Sequence, residues 1–183
     1  MSLAYGGKEL AEAFRTVRKN TIQVAEDIPE ASYDHVAAPE LRSVRQMFTH
    51  VAISTRIWEE VHGRKRLTTL VGFDFFGFID RFKAEEAKKR SKAEVVDLLR
   101  SEGDRFAAWL ETLTPEILAE NVTEPDGKGA KNRFERLLGV KEHEMHHRAQ
   151  LMLIERQLGI VPHLTRQFQE RLAQMRAAQA QKA

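Results

Sequence analysis

Apolar residues recur along this chain at helical spacing almost from end to end. Leu10, Phe14, Val17, Thr21, Val24 and Ile28 alternate steps of four and three. That spacing predicts a helix from about Gly7 to Ile28 with one narrow apolar stripe, stopped by Pro29. Ala31 to Pro39 reads as an irregular connection. Ser43-Val44-Arg45-Gln46 is a capping box and predicts a second helix reaching about His62, with Gly63 as its C-cap. Met47, His50, Ser54, Ile57 and Val61 form one of its stripes, and Val44, Phe48, Val51 and Trp58 an adjoining one. His50 therefore stands on an inward stripe, midway along the helix.

Arg64 to Phe82 is mixed, and its phenylalanines beside glycines, Gly72 to Phe78, predict a short buried helix or lid over one end of the molecule. A second capping box, Ser91-Lys92-Ala93-Glu94, opens a helix that reaches about Leu113 on Val95, Leu98, Leu99, Phe106 and Trp109. Within it Gly103 is a local cost of about 1 kcal/mol relative to alanine. Thr114-Pro115-Glu116 starts a short helical turn, and Asn121 to Ala130 reads as a loop or short hairpin. Asn132 to about Gln157 is the longest helix, ending at Gly159 with Pro162 beyond. A polar, alanine-rich helix from about Leu164 frays toward Ala183. No internal repeat and no strand pattern of any length appears. The expected fold is all-α: a four-helix bundle with short extra helices, residues 1–183 forming a single domain.

Composition narrows the chemistry. The chain has 183 residues, 42% of them hydrophobic and 31% charged, with a formal net charge of +2. It matches an ordinary globular protein, with no basic block to argue for nucleic acid. Lys83 to Lys92 comes nearest, but Glu85 and Glu86 interrupt it, and a solvated helix face is the better reading. With no cysteine, disulfides, iron–sulfur clusters, thiolate zinc sites and cysteine nucleophiles are excluded within the chain. No apolar run has membrane-spanning length and the N-terminus has no signal pattern, so a cytoplasmic location is the default expectation.

The candidate chemistry lies in the longest helix, at His143-Glu144-Met145-His146-His147-Arg148-Ala149-Gln150. At about 100° per residue, Val140, His147, Leu151, Ile154 and Leu158 share one apolar face, with His143 at its border. Phe134, Leu138, Met145 and Met152 form a second apolar face, which predicts a homodimer contact unless the aromatic segment covers it. His146 falls among polar residues and is expected at solvent or behind the ligands. One histidine on an apolar stripe is ordinarily a hydrogen-bonded core residue. An i, i+4 pair is different, since two buried imidazoles need partners. With His50 at mid-bundle depth, three neutral imidazoles can meet one divalent ion. His50, His143 and His147 are the expected metal ligands.

Three histidines without a carboxylate leave open positions and suit zinc, nickel, manganese or iron. Such a site can carry an activated water or bind a thiolate directly. Glu144 is the candidate catalytic base, and Asp74 is a second acidic residue to watch, although a solvated salt-bridge role suits it better. The same stretch matches the His-Glu-x-x-His zincin signature. That reading makes Glu144 the base and needs a later third ligand, for which Glu170 is available. Gln150 and Leu153 occupy the positions of the metzincin extension, and no edge strand is visible to hold a peptide.

With His50 on the second helix and His-x-x-x-His-Arg-x-Gln on the longest, the chain resembles the DinB/YfiT-like family of metal-dependent enzymes, distinct from the DNA polymerase that shares the DinB name. Asp27-Ile28-Pro29, Ser43-Val44 seven residues before the histidine, and the Leu158-Gly159-Ile160-Val161-Pro162 exit extend the resemblance over most of the chain. Ala149 stands where many relatives have glycine. The resemblance implies an up-down-down-up four-helix bundle, often a homodimer, with the metal on His50, His143 and His147. It further implies a small-molecule thiol and an electrophilic substrate, since members include bacillithiol- or mycothiol-dependent S-transferases and a mycothiol-dependent maleylpyruvate isomerase. Metal-assisted hydrolysis is the other reaction class. A non-catalytic, metal-binding stress-response bundle is the alternative outside enzymes.

Overall fold

The computed structural model describes residues 5–181. The final residues toward Ala183, where fraying is expected, lie partly outside them. Four long elements carry the architecture: α1 (Gly7–Asp27), α2 (Val44–Ile53) with its continuation α3 (Thr55–Trp58), then, past α4 (Phe75–Glu86), α5 (Lys92–Glu111), and, past α6 (Pro115–Ala119), α7 (Arg133–Gln157). A last helix, α8 (His163–Ala180), follows Gly159, whose φ of +78° makes the left-handed turn that leaves α7. Four N-caps fall where the sequence places them. Ser43 and Ser91 close reciprocal capping boxes, Thr114 and Asn132 cap the next two helices, and each satisfies backbone donors the first turn would leave orphaned.

α1 packs on α5 and α7, and so does α2, so the four helices stand around the core in the order α1, α5, α2, α7. Contacts along each pair give the directions. Arg15 meets Glu111 while Lys92 reaches the Ile28 carbonyl, so α1 and α5 are antiparallel. Arg56 meets Glu102 and Gly63 lies against Trp109, so the second helix and α5 run parallel. His62 meets Arg133 near the start of α7, whereas Met47 and Ile154 share a core cluster, so the second helix and α7 are antiparallel. The bundle is up-down-down-up. Because the second helix and α5 are parallel neighbours, the chain between them must return along the bundle. The 75–86 helix is that return and packs against α2.

Two departures follow from this path. The aromatic segment is no buried lid: Phe76 is 81% exposed, and only Glu86 of α4 is buried. The second helix also breaks at Ser54 and winds into a π-helical turn over Glu59–Arg64, with Gly63 inside that turn instead of capping it. At the break, the Val51 carbonyl accepts from both the Ser54 hydroxyl and Arg18, an insertion of the kind that bends helices. Of the loop or short hairpin expected from Asn121 to Ala130, the structure has the hairpin, with three-residue strands Asn121–Thr123 and Ala130–Asn132 too short to leave an alternating pattern.

Two large apolar clusters make up most of the core, one around Val24, Phe48, Leu99 and Leu151, the other around Phe14, Phe106, Leu110 and Val140, and a small third one holds Val61, Leu70 and Val122. Between the two large ones Arg18, 3% exposed, touches all three other long helices. Its Nε donates to both oxygens of Glu144, Nη1 to the Leu99 carbonyl at 2.7 Å and Nη2 to the Val51 carbonyl at 3.2 Å. Burying such a pair costs several kcal/mol per ion unless every polar group is satisfied, which this arrangement achieves for the guanidinium. Gly103 is what admits it. A Cβ there would fall 2.8 Å from Arg18 Cγ. Among the described residues no helix is long and apolar enough to cross a membrane.

Candidate metal centre

His143 and His147 share one side of α7 a turn apart, and α2 runs antiparallel beside them, bringing His50 opposite. His143 Nε2 lies 3.2 Å from His50 Nε2 and 3.2 Å from His147 Nε2. Among the described residues these three form the one group of histidine or acidic side chains whose ligating atoms all lie within 4.8 Å of one another. All three are half-buried.

Their outer hydrogen bonds decide which nitrogen carries the proton. His50 Nδ1 faces the Glu86 carboxylate at 2.8 Å, and His147 Nδ1 faces the Gln150 side-chain carbonyl at 2.9 Å. Each partner is an acceptor, so each Nδ1 carries a proton and donates it. In a neutral imidazole the Nε2 is then left with a lone pair. Two lone pairs thus converge on His143 Nε2, which can donate to at most one. A shared cation resolves the conflict. Metal–nitrogen bonds of about 2.0–2.1 Å at tetrahedral angles separate nitrogens by about 3.3–3.4 Å, close to the spacing found. The donor set and spacing fit a divalent ion.

The electrostatics agree. Burial and then the neighbouring imidazoles push His143 down to about 3, and burial likewise lowers His147. Both are neutral imidazoles at neutral pH. Burial pushes the Glu86 carboxyl up, but hydrogen bonds from His50 and Arg42 outweigh it and hold the group below the ordinary carboxylate range.

Glu86 was absent from the expected site residues. It lies in the stretch read as a solvated face, yet it is 6% exposed, one oxygen on His50 and the other accepting from Arg42 Nε at 2.7 Å. The carboxylate–histidine pairing is the arrangement that orients metal-bound imidazoles. Glu144 stands elsewhere. One residue round the helix from His143, it is 2% exposed and both oxygens accept from Arg18. The structure therefore does not bring Glu144 to the histidines. The zincin reading, which needs that carboxylate beside the metal, loses its base. Asp74 caps α4 by accepting from the Gly77 amide. His146 is exposed, beside Gln150.

A cleft of about 540 Å3 opens onto His147 and Glu86. Met47 and Ile154, both buried, lie along it, and Arg42, Lys83, Leu41 and Leu153 line its sides.

A family model described as the DinB superfamily matches residues 13–151. No curated protein matches the sequence. Among solved structures, YfiT from Bacillus subtilis, described as a probable metal-dependent hydrolase with an unusual four-helix bundle topology, superposes with a TM-score of 0.64 at 19% identity, covering 84% of this chain and 88% of its own. A DinB-like protein of Bacillus subtilis, YjoA, superposes with a TM-score of 0.61 at 19% identity, covering 82% and 92%. These likenesses concern the fold.

Proposed function

The chain belongs to the DinB superfamily, and on that premise we propose that it is a metal-dependent enzyme, residues 1–183 acting as one domain in the cytoplasm, with His50, His143 and His147 holding one divalent ion. The observation that carries this reading is the convergence of the three Nε2 atoms, two of them left as lone pairs by Glu86 and Gln150. Zinc, nickel, manganese and iron all accept three imidazoles with open positions. When bound, such an ion would acidify a water or a thiol at neutral pH. The protein's own residues orient two imidazoles, hold the third neutral and present the cleft beside them. The reaction is thiol transfer to an electrophile, or hydrolysis. That YfiT is described as a probable metal-dependent hydrolase supports metal chemistry on this fold.

A homodimer belongs to the same reading. Met145 on α7 and Phe168 and Met175 on α8 stand 44–60% exposed, apolar surface of the kind partners cover. A monomer in sedimentation overturns it.

The test is metal analysis of natively expressed protein, with about one divalent ion per chain expected and lost in His50→Ala. The cobalt-substituted protein should change its visible spectrum when 2-mercaptoethanol is added. Metal with no thiol response and no turnover on electrophiles or esters would make this a metal-binding bundle without catalysis. Protein purified without metal, and unable to take cobalt, would sink the proposal.

A further inference from the structure

The cleft beside the histidines has a polarity that its lining makes specific. Arg42 spends its Nε on Glu86 Oε2, yet its two Nη groups make no hydrogen bond among the described residues. Those groups form the outer edge of a planar fork, which suits an oxyanion bidentately. The Lys83 ammonium, on the lining of the same cleft, makes no ion pair among the described residues. Of the two carboxylates on the lining, Glu86 has both oxygens committed, and Glu40 is exposed. Charge on the lining is thus balanced, Arg42 against Glu86 and exposed Lys83 against exposed Glu40, but the donors left over, the two Arg42 Nη groups and the Lys83 ammonium, are what an oxyanion accepts from. Arg42 is joined to the histidines through Glu86, whose other oxygen faces His50 Nδ1 at 2.8 Å.

The apolar part of the lining is equally particular. Met47 and Ile154 are buried, while Leu41 and Leu153 are 53% and 58% exposed on the walls of the same cleft. At about 540 Å3 the volume falls within the roughly 300–1,000 Å3 of small-molecule sites.

We propose that this cleft selects a small molecule with an anionic oxygen group, carboxylate or phosphate, held by Arg42 and Lys83, and an apolar body lying on Met47, Ile154, Leu41 and Leu153, its reacting end turned to the histidines. The last clause rests on the metal reading above; the anion selectivity does not.

The experiment is calorimetric titration of the full chain, metal-stripped and metal-loaded, with hexanoate, hexyl phosphate, hexanol and hexylamine. Hexanoate or hexyl phosphate should bind at least tenfold more tightly than hexanol, and hexylamine more weakly than hexanol. The tighter of the two anions identifies the oxyanion class. Arg42→Gln and Lys83→Gln should each lose at least threefold for the anions and leave hexanol unchanged. Lys83→Gln, at an exposed position, keeps the test valid should Arg42→Gln disturb Glu86. Equal affinity for hexanol and both anions, or anion affinity untouched by both variants, overturns the proposal. Because the preference is also measured on stripped protein and on His50→Ala, failure of the metal reading shows separately, as absence of metal with the anion preference intact.

Discussion

Arg18 Nε lies 3.0 and 3.1 Å from the two carboxylate oxygens of Glu144, and the pair sits between the two large apolar clusters with both side chains under 5% exposed. Through it α1 is tied to α7, and through the remaining guanidinium nitrogens to α5 and α2. Removing one partner strands the other charge in the interior, which costs about 3–5 kcal/mol. Arg18→Ala and Glu144→Ala should each lose that much in urea denaturation, and the double variant should lose clearly less than the sum. Gly103→Ala should cost about 1–3 kcal/mol by overpacking against Arg18. Glu144→Gln with full stability and abolished activity would instead return Glu144 to a catalytic role.

Glu86 offers a sharper test of the metal centre. Its hydrogen bond to His50 Nδ1 orients a proposed ligand from behind, and loss of such partners typically lowers metal affinity 10–100-fold. Glu86→Gln should reduce zinc affinity in that range, measured by competition with a chromophoric chelator, while helicity by circular dichroism stays unchanged. Glu86→Asp should recover little, because the shorter side chain cannot reach His50 and Arg42 together. Unaltered affinity in both variants would mean that His50 is oriented by packing alone.

What was legible in the chain, and what was not, divides along physical lines. The histidines stood out because an i, i+4 pair and a lone histidine on an apolar stripe are both departures from helical pattern. The caps stood out because they are local chemistry. Glu86 was hidden because nothing in Lys83 to Lys92 tells that the 75–86 helix returns along α2; that is a consequence of helix order. Arg18 was hidden because an arginine at the edge of a stripe usually snorkels to water. The longest helix appeared to have two apolar faces because its buried side carries Arg133, Arg136, Glu144, Arg148 and Glu155, which interrupt the very periodicity that reveals burial.

Glu155 is one of those interruptions, and it sets a pH dependence. It is fully buried, and neither oxygen has a hydrogen-bond partner among the described residues. Burial first, and then the charge of Asp27, push it up to about 7. The folded state thus keeps a proton that the unfolded chain releases above about 4.5. This contribution is complete below 4.5 and is lost as pH rises through 7. Glu155→Gln removes the conflict and should stabilise the protein by about 2 kcal/mol at pH 8, with little effect at pH 4.5. Thermal denaturation at the two pH values decides; equal shifts at both would mean the carboxylate is solvated.

His62 acts in the opposite sense, at the far end of the bundle. It is 1% exposed, and its Nδ1 accepts from Arg133 Nη1 at 3.0 Å. Protonation there would break that bond and set a cation against a guanidinium. Burial, then Arg133 and Arg136, accordingly push the imidazole down from 6.5 to about 3. The unfolded chain takes up the proton below 6.5 and the folded state does not. The stability contribution is therefore complete above 6.5 and falls away as pH drops toward 3. For metal-stripped protein this should cost about 2 kcal/mol between pH 7 and pH 4.5 at His62 alone. His143, lowered in the same direction, adds to the slope. Replacing His62 by Gln will lower stability throughout, because Arg133 loses its acceptor, so the informative quantity is the slope of urea midpoint against pH. That slope should flatten in His62→Gln. A variant as steep as the parent would place the acid sensitivity elsewhere and show that His62 takes up its proton as readily in the folded as in the unfolded chain, despite its burial.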